Sequence, residues 1–180
     1  MTRSRRGAAR DGLLVLLTLT TGAVDASCFL HLGNVFSSVI TGNLVLLGVS
    51  AATQSASLAI HSGVALAGYS AGVLVGAPIA TRRARGGETW PLSVSVTLVA
   101  EFCVLAAFSV GWELTGGHPG SMAQVLLIAA LAVAMGIQSA AVRQLGGMST
   151  TYLTGTLTAV VTELAIVAGM LLLFRRRGWL

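Results

Sequence analysis

The stretch "VITGNLVLLG", Val39 to Gly48, places a Thr-Gly-Asn step inside an apolar run. A near copy, "YLTGTLTAVV", occupies Tyr152 to Val161. Glycine weakens a helix by about 1 kcal/mol relative to alanine. Buried polar groups are costly unless they find a hydrogen-bond partner. The glycine and the polar residues in both stretches therefore need an explanation, which depends on the rest of the chain.

Composition places the chain in a membrane. Of the 180 residues, 54% are hydrophobic and only 9% are charged, and the mean hydropathy is +0.84. A soluble domain carries about a quarter charged residues, so the sequence indicates an integral membrane protein whose main partner is the lipid bilayer. The net charge of +5 comes from arginines beside apolar runs. There they act as topology signals and headgroup contacts, so nucleic acid is not an expected partner.

Six apolar segments divide the chain, and each is close to the roughly 20 residues that a spanning helix needs. Helices are expected because lipid offers no partner for an unpaired backbone amide. The sequence predicts an all-α, polytopic transmembrane bundle of about six helices, forming a single transmembrane domain over residues 1–180. The segments are Gly12–Leu32, Val35–Ala52, Leu58–Ala80, Pro91–Trp112, Met122–Val142 and Thr151–Phe174.

The arginine distribution predicts the orientation. With six complete crossings, seven of the eleven arginines lie on the side of the N-terminus, which favours a cytoplasmic N-terminus in a bacterial inner membrane. The group Arg82, Arg83 and Arg85 would then lie outside. If the Thr-Gly segments do not cross completely, that group moves to the cytoplasmic side, and both arrangements stay open.

An internal repeat relates the two Thr-Gly segments. A shift of 113 residues brings Thr41 onto Thr154 without a gap. It pairs the first helix with the fifth, which defines repeat-like units at about 12–80 and 122–174 and a linking helix at about 91–112. Four crossings between the units predict parallel orientation. The second unit lacks a third helix, so either it is naturally short or another helix follows.

The paired motifs resemble the YoaK-like family of bacterial multi-pass membrane proteins, a domain of unknown function. The resemblance covers essentially the whole chain. It implies an inner-membrane protein, somewhat longer at its C-terminus in other members, and no established substrate or reaction. The matched features are Gly22-x-x-Asp25-Ala26, Leu32-Gly33, Thr41-Gly42-Asn43, Gln138 and Tyr152-x-Thr154-Gly155-Thr156.

Three acids fall within apolar segments, where a charge costs at least about 2.5–3.5 kcal/mol. Asp25 shares a helix face with Thr21 and Cys28, and Glu101 ends a polar stripe of residues four apart. Glu163 lies beside a row of threonines. Each acid is a candidate coupling site, and each could instead make only an interhelical hydrogen bond.

Two functions fit these features. The first is a transporter or permease for a small solute or ion, in which the Thr-Gly segments are matched helix breaks and Asp25 couples a proton or cation. Its candidate binding residues are Asp25, Thr41, Gly42, Asn43, Gln138, Tyr152, Thr154, Gly155 and Thr156. The second is a scaffold or assembly partner packed through a ridge of Gly68, Gly72 and Gly76, which leaves a homo-oligomer open.

The sequence specifies no enzyme. It holds no nucleophile elbow, no His-Glu-x-x-His motif and no phosphate-binding glycine loop. No His, Cys, Asp and Glu cluster has metal-ligand spacing on one helix face, so we expect neither a metal nor a cofactor. Cys28 and Cys103 lie inside apolar runs, where small buried hydrophobes are the expected interpretation.

Overall fold

The computed structural model describes residues 2–81 and 91–143, together with Met170 and Arg175. Within these residues the chain forms helices and contains no strand. The helices are α1 (Thr2–His31), α2 (Ile40–Ala52), α3 (Ala56–Thr81), α4 (Leu92–Leu114) and α5 (Ser121–Arg143). The all-α expectation is confirmed for this part of the chain.

Four helices are long and apolar enough to cross a membrane, over Gly12–His31, Ala56–Thr81, Leu92–Leu114 and Ser121–Arg143. The second predicted crossing, Val35–Ala52, is wrong: α2 has 13 residues and is therefore about 20 Å long, which is too short for a hydrocarbon layer of about 30 Å. The sixth predicted segment, Thr151–Phe174, lies outside the described residues apart from Met170.

Helix α5 is the centre of the bundle, and its packing against α3 depends on glycine. A methyl group on Gly72 would collide with the Val133 carbonyl oxygen, and one on Gly136 would collide with the Tyr69 carbonyl oxygen. Gly68 contacts Ala129 and Ala132, whereas Gly76 contacts Ile137 and Ala140. Residue numbers thus rise together along both helices, so α3 and α5 run parallel.

Helices α1 and α4 run antiparallel to α5. Near one end of the bundle, Val94 packs on Ala141 with Leu14 beside them. Thr21 bonds Gln138 further along, and the His31 ring contacts the Trp112 ring at the opposite end. We call the end with Leu14 and Ala141 the arginine end, because Arg10 and Arg143 flank it, and the end with Trp112 the loop end.

Between α1 and α2 the chain re-enters the bundle. Ser37 and Ser38 bond Asp25, which lies six residues, or about 9 Å, before the end of α1. The chain therefore turns back from the loop end through residues 32–39, which we call the re-entrant segment. Helix α2 then returns to the loop end, where Thr53–Ser55 connects it to α3.

The re-entrant segment changes the predicted relation of the repeat units. Only α1, α3 and α4 cross before α5, so α1 and α5 point in opposite directions, as their contacts show. The predicted parallel orientation is therefore wrong for the first helices of the two units. The cause is the shortness of α2, which removes one crossing from the count.

Candidate functional site

Asp25 holds the re-entrant segment inside the bundle. Its Oδ1 accepts hydrogen bonds from the Ser37 backbone N–H (2.8 Å), the Ser37 hydroxyl (2.7 Å) and the Ser38 backbone N–H (2.8 Å). Its Oδ2 accepts one from the Ser38 hydroxyl at 2.5 Å. The carboxylate and both serines are buried. The carboxyl group thus accepts four hydrogen bonds, and it is the partner of two backbone amides that no helix satisfies.

The Thr-Gly-Asn step secures the same segment from the side of α2. The Asn43 Oδ1 accepts a hydrogen bond from the Phe36 N–H at 2.9 Å, and the Asn43 Nδ2 donates one to the Phe36 carbonyl at 2.7 Å. The missing side chain of Gly42 leaves room for the Phe36 ring, which a methyl group there would approach to 3.0 Å. Phe36 in turn stacks on Phe29 with ring centroids 5.0 Å apart.

This geometry corrects the predicted helix break. Thr41, Gly42 and Asn43 lie in the first turn of α2, and the irregular backbone precedes them. The physical reason is that the Asn43 side-chain amide forms hydrogen bonds with the Phe36 backbone. The helix can therefore begin at Ile40 while the segment before it stays folded. Sequence reasoning missed Ser37 and Ser38 as partners of Asp25. The available signal was their match by type to Thr150 and Thr151 in the repeat.

At the loop end, the re-entrant segment begins with a tight turn against α3. Gly33 has φ +109°, and a methyl group on it would collide with the His61 ring. The next residue, Asn34, also has a positive φ of 61°, a conformation that asparagine tolerates better than most residues. The Leu32-Gly33 feature noted in the sequence is therefore the point at which the chain reverses.

Gln138 lies deep in the bundle opposite α1. The Thr21 hydroxyl, which also bonds the Leu17 carbonyl at 2.9 Å, lies 2.7 Å from the Gln138 amide. A hydroxyl has one proton to donate, so this contact pairs one polar atom of the Gln138 amide and leaves the other buried without a partner, although most buried polar groups are paired. Gln138 is thus the predicted site residue, within the described part of the chain, that keeps an unpaired polar atom.

Glu101 faces the bundle from α4. Ser93, Thr97 and Glu101 are all buried, so the predicted polar stripe faces protein. The Thr97 hydroxyl returns to the Ser93 carbonyl at 2.7 Å. Within the described residues, Glu101 has no hydrogen bond or ion pair, and the Ser93 hydroxyl has no partner.

The structure brings several candidates together: Asp25 from α1 and Asn43 from α2 both bond the re-entrant segment, and Gln138 bonds Thr21, one helical turn before Asp25. The candidates Tyr152, Thr154, Gly155, Thr156 and Glu163 lie outside the described residues. In the part of the chain that is described, no three His, Cys, Asp or Glu side chains are grouped so that they could hold a metal ion.

A groove of about 280 Å³ lies beside this region, between α1 and α4. Hydroxyl groups border it, but they bond carbonyls of their own helices, as Thr20 does to Leu16 and Ser109 to Leu105. Asp25 and the Thr-Gly-Asn step do not line this groove. Its lining residues are Thr20, Ala23, Val24, Ser27, Leu105, Phe108, Ser109 and Leu131.

Comparison with known proteins identifies a family and a relative that match most of the chain. A family described as "Protein of unknown function (DUF1275)" matches residues 13–178. The chain is also 34% identical over 160 residues to "UPF0700 transmembrane protein YoaK" of Bacillus subtilis (strain 168). That alignment covers 88% of this chain and 68% of the relative. No solved structure matches the chain significantly.

Proposed function

The chain belongs to the DUF1275 family of membrane proteins, and we propose that it is a permease for a small solute. The observation that carries this proposal is the re-entrant segment, which Asp25 holds at membrane depth. Non-helical backbone occurs at that depth only where protein buries it or where it lines a water-filled path. Short helices that begin inside the membrane are a recurring feature of transporters and channels.

Within this proposal, Asp25 and Asn43 position the segment rather than bind the solute. Asp25 already accepts four hydrogen bonds from Ser37 and Ser38. The Asn43 amide is bonded at both its oxygen and its nitrogen. The Gln138 amide keeps one buried polar atom without a partner. We propose that the solute passes between α1, the re-entrant segment and α5 and forms a hydrogen bond with Gln138.

The arginines support one orientation. The arginine end carries Arg10 and Arg143, and Arg3, Arg5 and Arg6 belong to the same end of α1. Helix α3 ends there at Thr81, and α4 begins there after Pro91. The sequence between these two residues contains Arg82, Arg83 and Arg85. The loop-end connections, residues 32–39, 53–55 and 115–120, hold no arginine or lysine. By the positive-inside rule, we propose that the arginine end faces the cytoplasm of an inner membrane.

The scaffold alternative loses its predicted contact surface. Gly68, Gly72 and Gly76 are buried against α5 of the same chain. A partner protein cannot use this ridge without displacing the central helix of the bundle. No other described feature favours the scaffold over the permease.

The test uses purified protein in liposomes. Stopped-flow light scattering after an osmotic step reports entry of small neutral solutes, here glycerol, urea and small sugars, and labelled amino acids cover charged ones. We expect a solute-specific flux in the wild-type protein. Asp25→Ala should abolish this flux, because it frees two backbone amides and releases the re-entrant segment.

The matched control is Glu113→Gln, which removes an exposed acid near the loop end of α4 and should leave the flux unchanged. Size-exclusion chromatography confirms that each variant is folded. The proposal fails if the wild-type protein moves nothing in the panel, or if folded Asp25→Ala protein transports as well as the wild-type protein.

A further inference from the structure

Helices α1 and α5 pack as an antiparallel pair whose contacts repeat under the internal shift of 113 residues. Toward the loop end, Cys28 of α1 and Leu127 of α5 lie in the same buried cluster. Toward the arginine end, Leu14 of α1 packs against the cluster that contains Ala141 of α5. The shift carries Leu14 onto Leu127. It also carries Cys28 onto Ala141, and so it exchanges the two ends of the pair, which is the effect of an approximate two-fold axis in the membrane plane.

Each helix of the pair carries one buried polar side chain at a corresponding position. Asp25 falls on Gln138 under the shift, and the two side chains are 8% and 1% exposed. Asp25 lies six residues before the end of α1, and Gln138 lies five residues before the end of α5. The chain leaves α1 at the loop end and α5 at the arginine end. The two side chains are therefore equivalent when each is viewed from the face at which its helix ends.

The turn that follows α1 has a counterpart in the sequence after α5. The chain reverses after α1 at Gly33 and Asn34, both of which have a positive φ. Under the shift these residues fall on Gly146 and Gly147, and glycine adopts a positive φ without steric cost. Residues 144–169 lie outside the described part of the chain, so this correspondence rests on the sequence. It indicates that the second sequence suits the same reversal.

The residues that hold the first re-entrant segment also recur. Ser37 and Ser38, whose hydroxyls bond Asp25, fall on Thr150 and Thr151. Both pairs offer two adjacent hydroxyl groups and two backbone N–H groups. Because a hydroxyl both donates and accepts, these threonines can pair either polar atom of an amide. The second unit thus keeps the hydroxyl groups and has an amide where the first unit has an acid.

The Gln138 amide is the group on α5 to which such a segment can bind. One of its polar atoms lies against the Thr21 hydroxyl, and the other is buried without a partner among the described residues. Most buried polar groups in proteins are paired. At the equivalent position, Asp25 accepts four hydrogen bonds from residues 37 and 38. Gln138 therefore lacks the kind of partner that its counterpart has.

We propose that Gln138 is the docking point of a second re-entrant segment of this chain, residues 145–152, with Thr150 and Thr151 as its partners. This segment enters from the arginine end, whereas the first enters from the loop end. The two units then form an inverted repeat, in which both irregular segments meet beside the α1–α5 pair. Transporters built from inverted repeats have their substrate sites near the midplane, between the repeats and beside interrupted helices.

The proposal also accounts for an acid in the second unit. If residues 151–174 crossed the membrane completely, Glu163 would lie at the centre of the crossing, where a charge is expensive. Under the shift, Glu163 falls on Ser50, two residues before the end of α2. The corresponding position in the second unit lies at the arginine end, beside water. Docking of the second segment thus avoids the cost that a complete crossing imposes.

The inference deepens the proposed permease, and only its role in solute binding rests on that function. A side-chain amide can form up to four hydrogen bonds. Gln138 therefore has the capacity to bond Thr21, the second segment and a solute at the same time. The two segments bring irregular backbone to the solute from opposite faces of the membrane.

The first test follows the chain beyond the docked segment. Val167 falls on Gln54, in the turn between α2 and α3, so docking brings Val167 to the arginine end. The variant is Val167→Cys in the full-length protein, in a background with Cys28→Ala and Cys103→Ala. We expect an impermeant maleimide to label this cysteine from the same face of the membrane as it labels Thr81→Cys.

This measurement keeps Gln138, so it is independent of any substitution at the docking point. A complete crossing by residues 151–174 would hold position 167 within the bilayer. The proposal is overturned if Val167→Cys stays unlabelled under conditions that label Thr81→Cys, or if it is labelled from the opposite face.

The second test measures the contact itself. Oxidation with copper phenanthroline should link Gln138→Cys to Thr151→Cys in the same background, and peptide mass spectrometry identifies the linked pair. The matched control combines Gln138→Cys with Thr162→Cys, which lies 11 residues, or about 16 Å of helix, further along the chain. We expect a link in the first protein and not in the control. Absence of the link in folded protein, or equal linking in both proteins, overturns the contact.

A double-mutant cycle tests the role of the Gln138 amide. Gln138→Leu and Thr151→Val each remove one side of the same contact, so together they should lower the unfolding temperature by less than the sum of their separate effects. The matched control is Gln138→Leu with Thr158→Val, for which the effects should add. Additive effects in both pairs would show that Gln138 does not hold the second segment.

The two proposals fail in different ways. If no solute moves in the panel but the cross-link forms and Val167→Cys is labelled as expected, the permease proposal is wrong and the docking stands. If a solute moves and Val167→Cys resists labelling, the permease stands and the docking is wrong.

Discussion

At the scale of single residues, Gly33 shows how a local requirement determines where the chain turns. Its φ of +109° is a conformation that residues with a side chain rarely adopt, and the His61 ring fills the space where a side chain would stand. The two requirements are independent, because one concerns the backbone and the other concerns a neighbouring helix. Leu32-Gly33 was visible in the sequence as one of the features shared with the family, but neither requirement could be read from it.

Gly33→Ala should lower the free energy of unfolding by about 1–3 kcal/mol, the range for a side chain forced into a rare conformation or against a neighbour. His61→Ala in the same protein removes the collision and should recover part of that loss, while the backbone cost remains. The measurement is chemical unfolding in detergent. Asn34→Gly at the next positive-φ position is the control and should not destabilise. Complete recovery in the double variant would show that the backbone conformation costs nothing.

At the scale of the helices, the sequence predicted four of the described elements well and one badly. The spans of α1, α3, α4 and α5 follow from apolar length, which is a local property. The re-entry of α2 depends on Asp25 and Asn43 finding partners 12 and 7 residues away in the chain. Apolar length carries no information about such pairing, so Val35–Ala52 looked like another crossing.

The glycine ridge is the interaction that sets the α3–α5 distance. Gly72→Ala and Gly136→Ala each place a methyl group against a backbone carbonyl of the facing helix. Since backbone cannot move aside cheaply, each variant should lower the unfolding temperature in detergent. Gly63→Ala on the same helix is the matched control, because nothing lies within 4 Å of its added methyl group. It should be neutral or stabilising by up to about 1 kcal/mol through helix propensity. Equal effects at positions 63 and 72 would contradict the packing argument.

At the scale of the whole molecule, one short helix decides the sidedness of the chain. Because the chain between α1 and α3 leaves the loop end and returns to it, the described arginines of α1 and α5 lie toward one end of the bundle: Arg3, Arg5, Arg6, Arg10 and Arg143. In the sequence, Arg82, Arg83 and Arg85 fall between Thr81 and Pro91, which lie at that same end. The sequence offered this arrangement as an open alternative to six crossings. The sequence does not decide between the two arrangements, because the decision depends on whether the 13 residues of α2 cross the membrane or belong to a segment that turns back.

Topology mapping tests that choice. An N-terminal epitope and a cysteine at Thr81, in a background with Cys28→Ala and Cys103→Ala, lie on the same side if α2 re-enters and on opposite sides if it spans. We expect an impermeant maleimide to reach the Thr81→Cys protein in inverted vesicles, where a protease also removes the epitope. A cysteine at His118, in the loop-end turn, should react in intact cells. An epitope and a Thr81 cysteine on opposite faces would contradict the fold described above.

The position of Asp25 ahead of its donors also has a consequence for biosynthesis. The carboxylate emerges from the ribosome 12 residues before Ser37 and 13 before Ser38. During that interval the nascent first helix carries a carboxyl group with no internal partner, which disfavours its release into lipid. Helix α2 is too short to insert by itself. We therefore expect the first stable unit in the membrane to be α1 together with the returning segment that supplies the partners of Asp25.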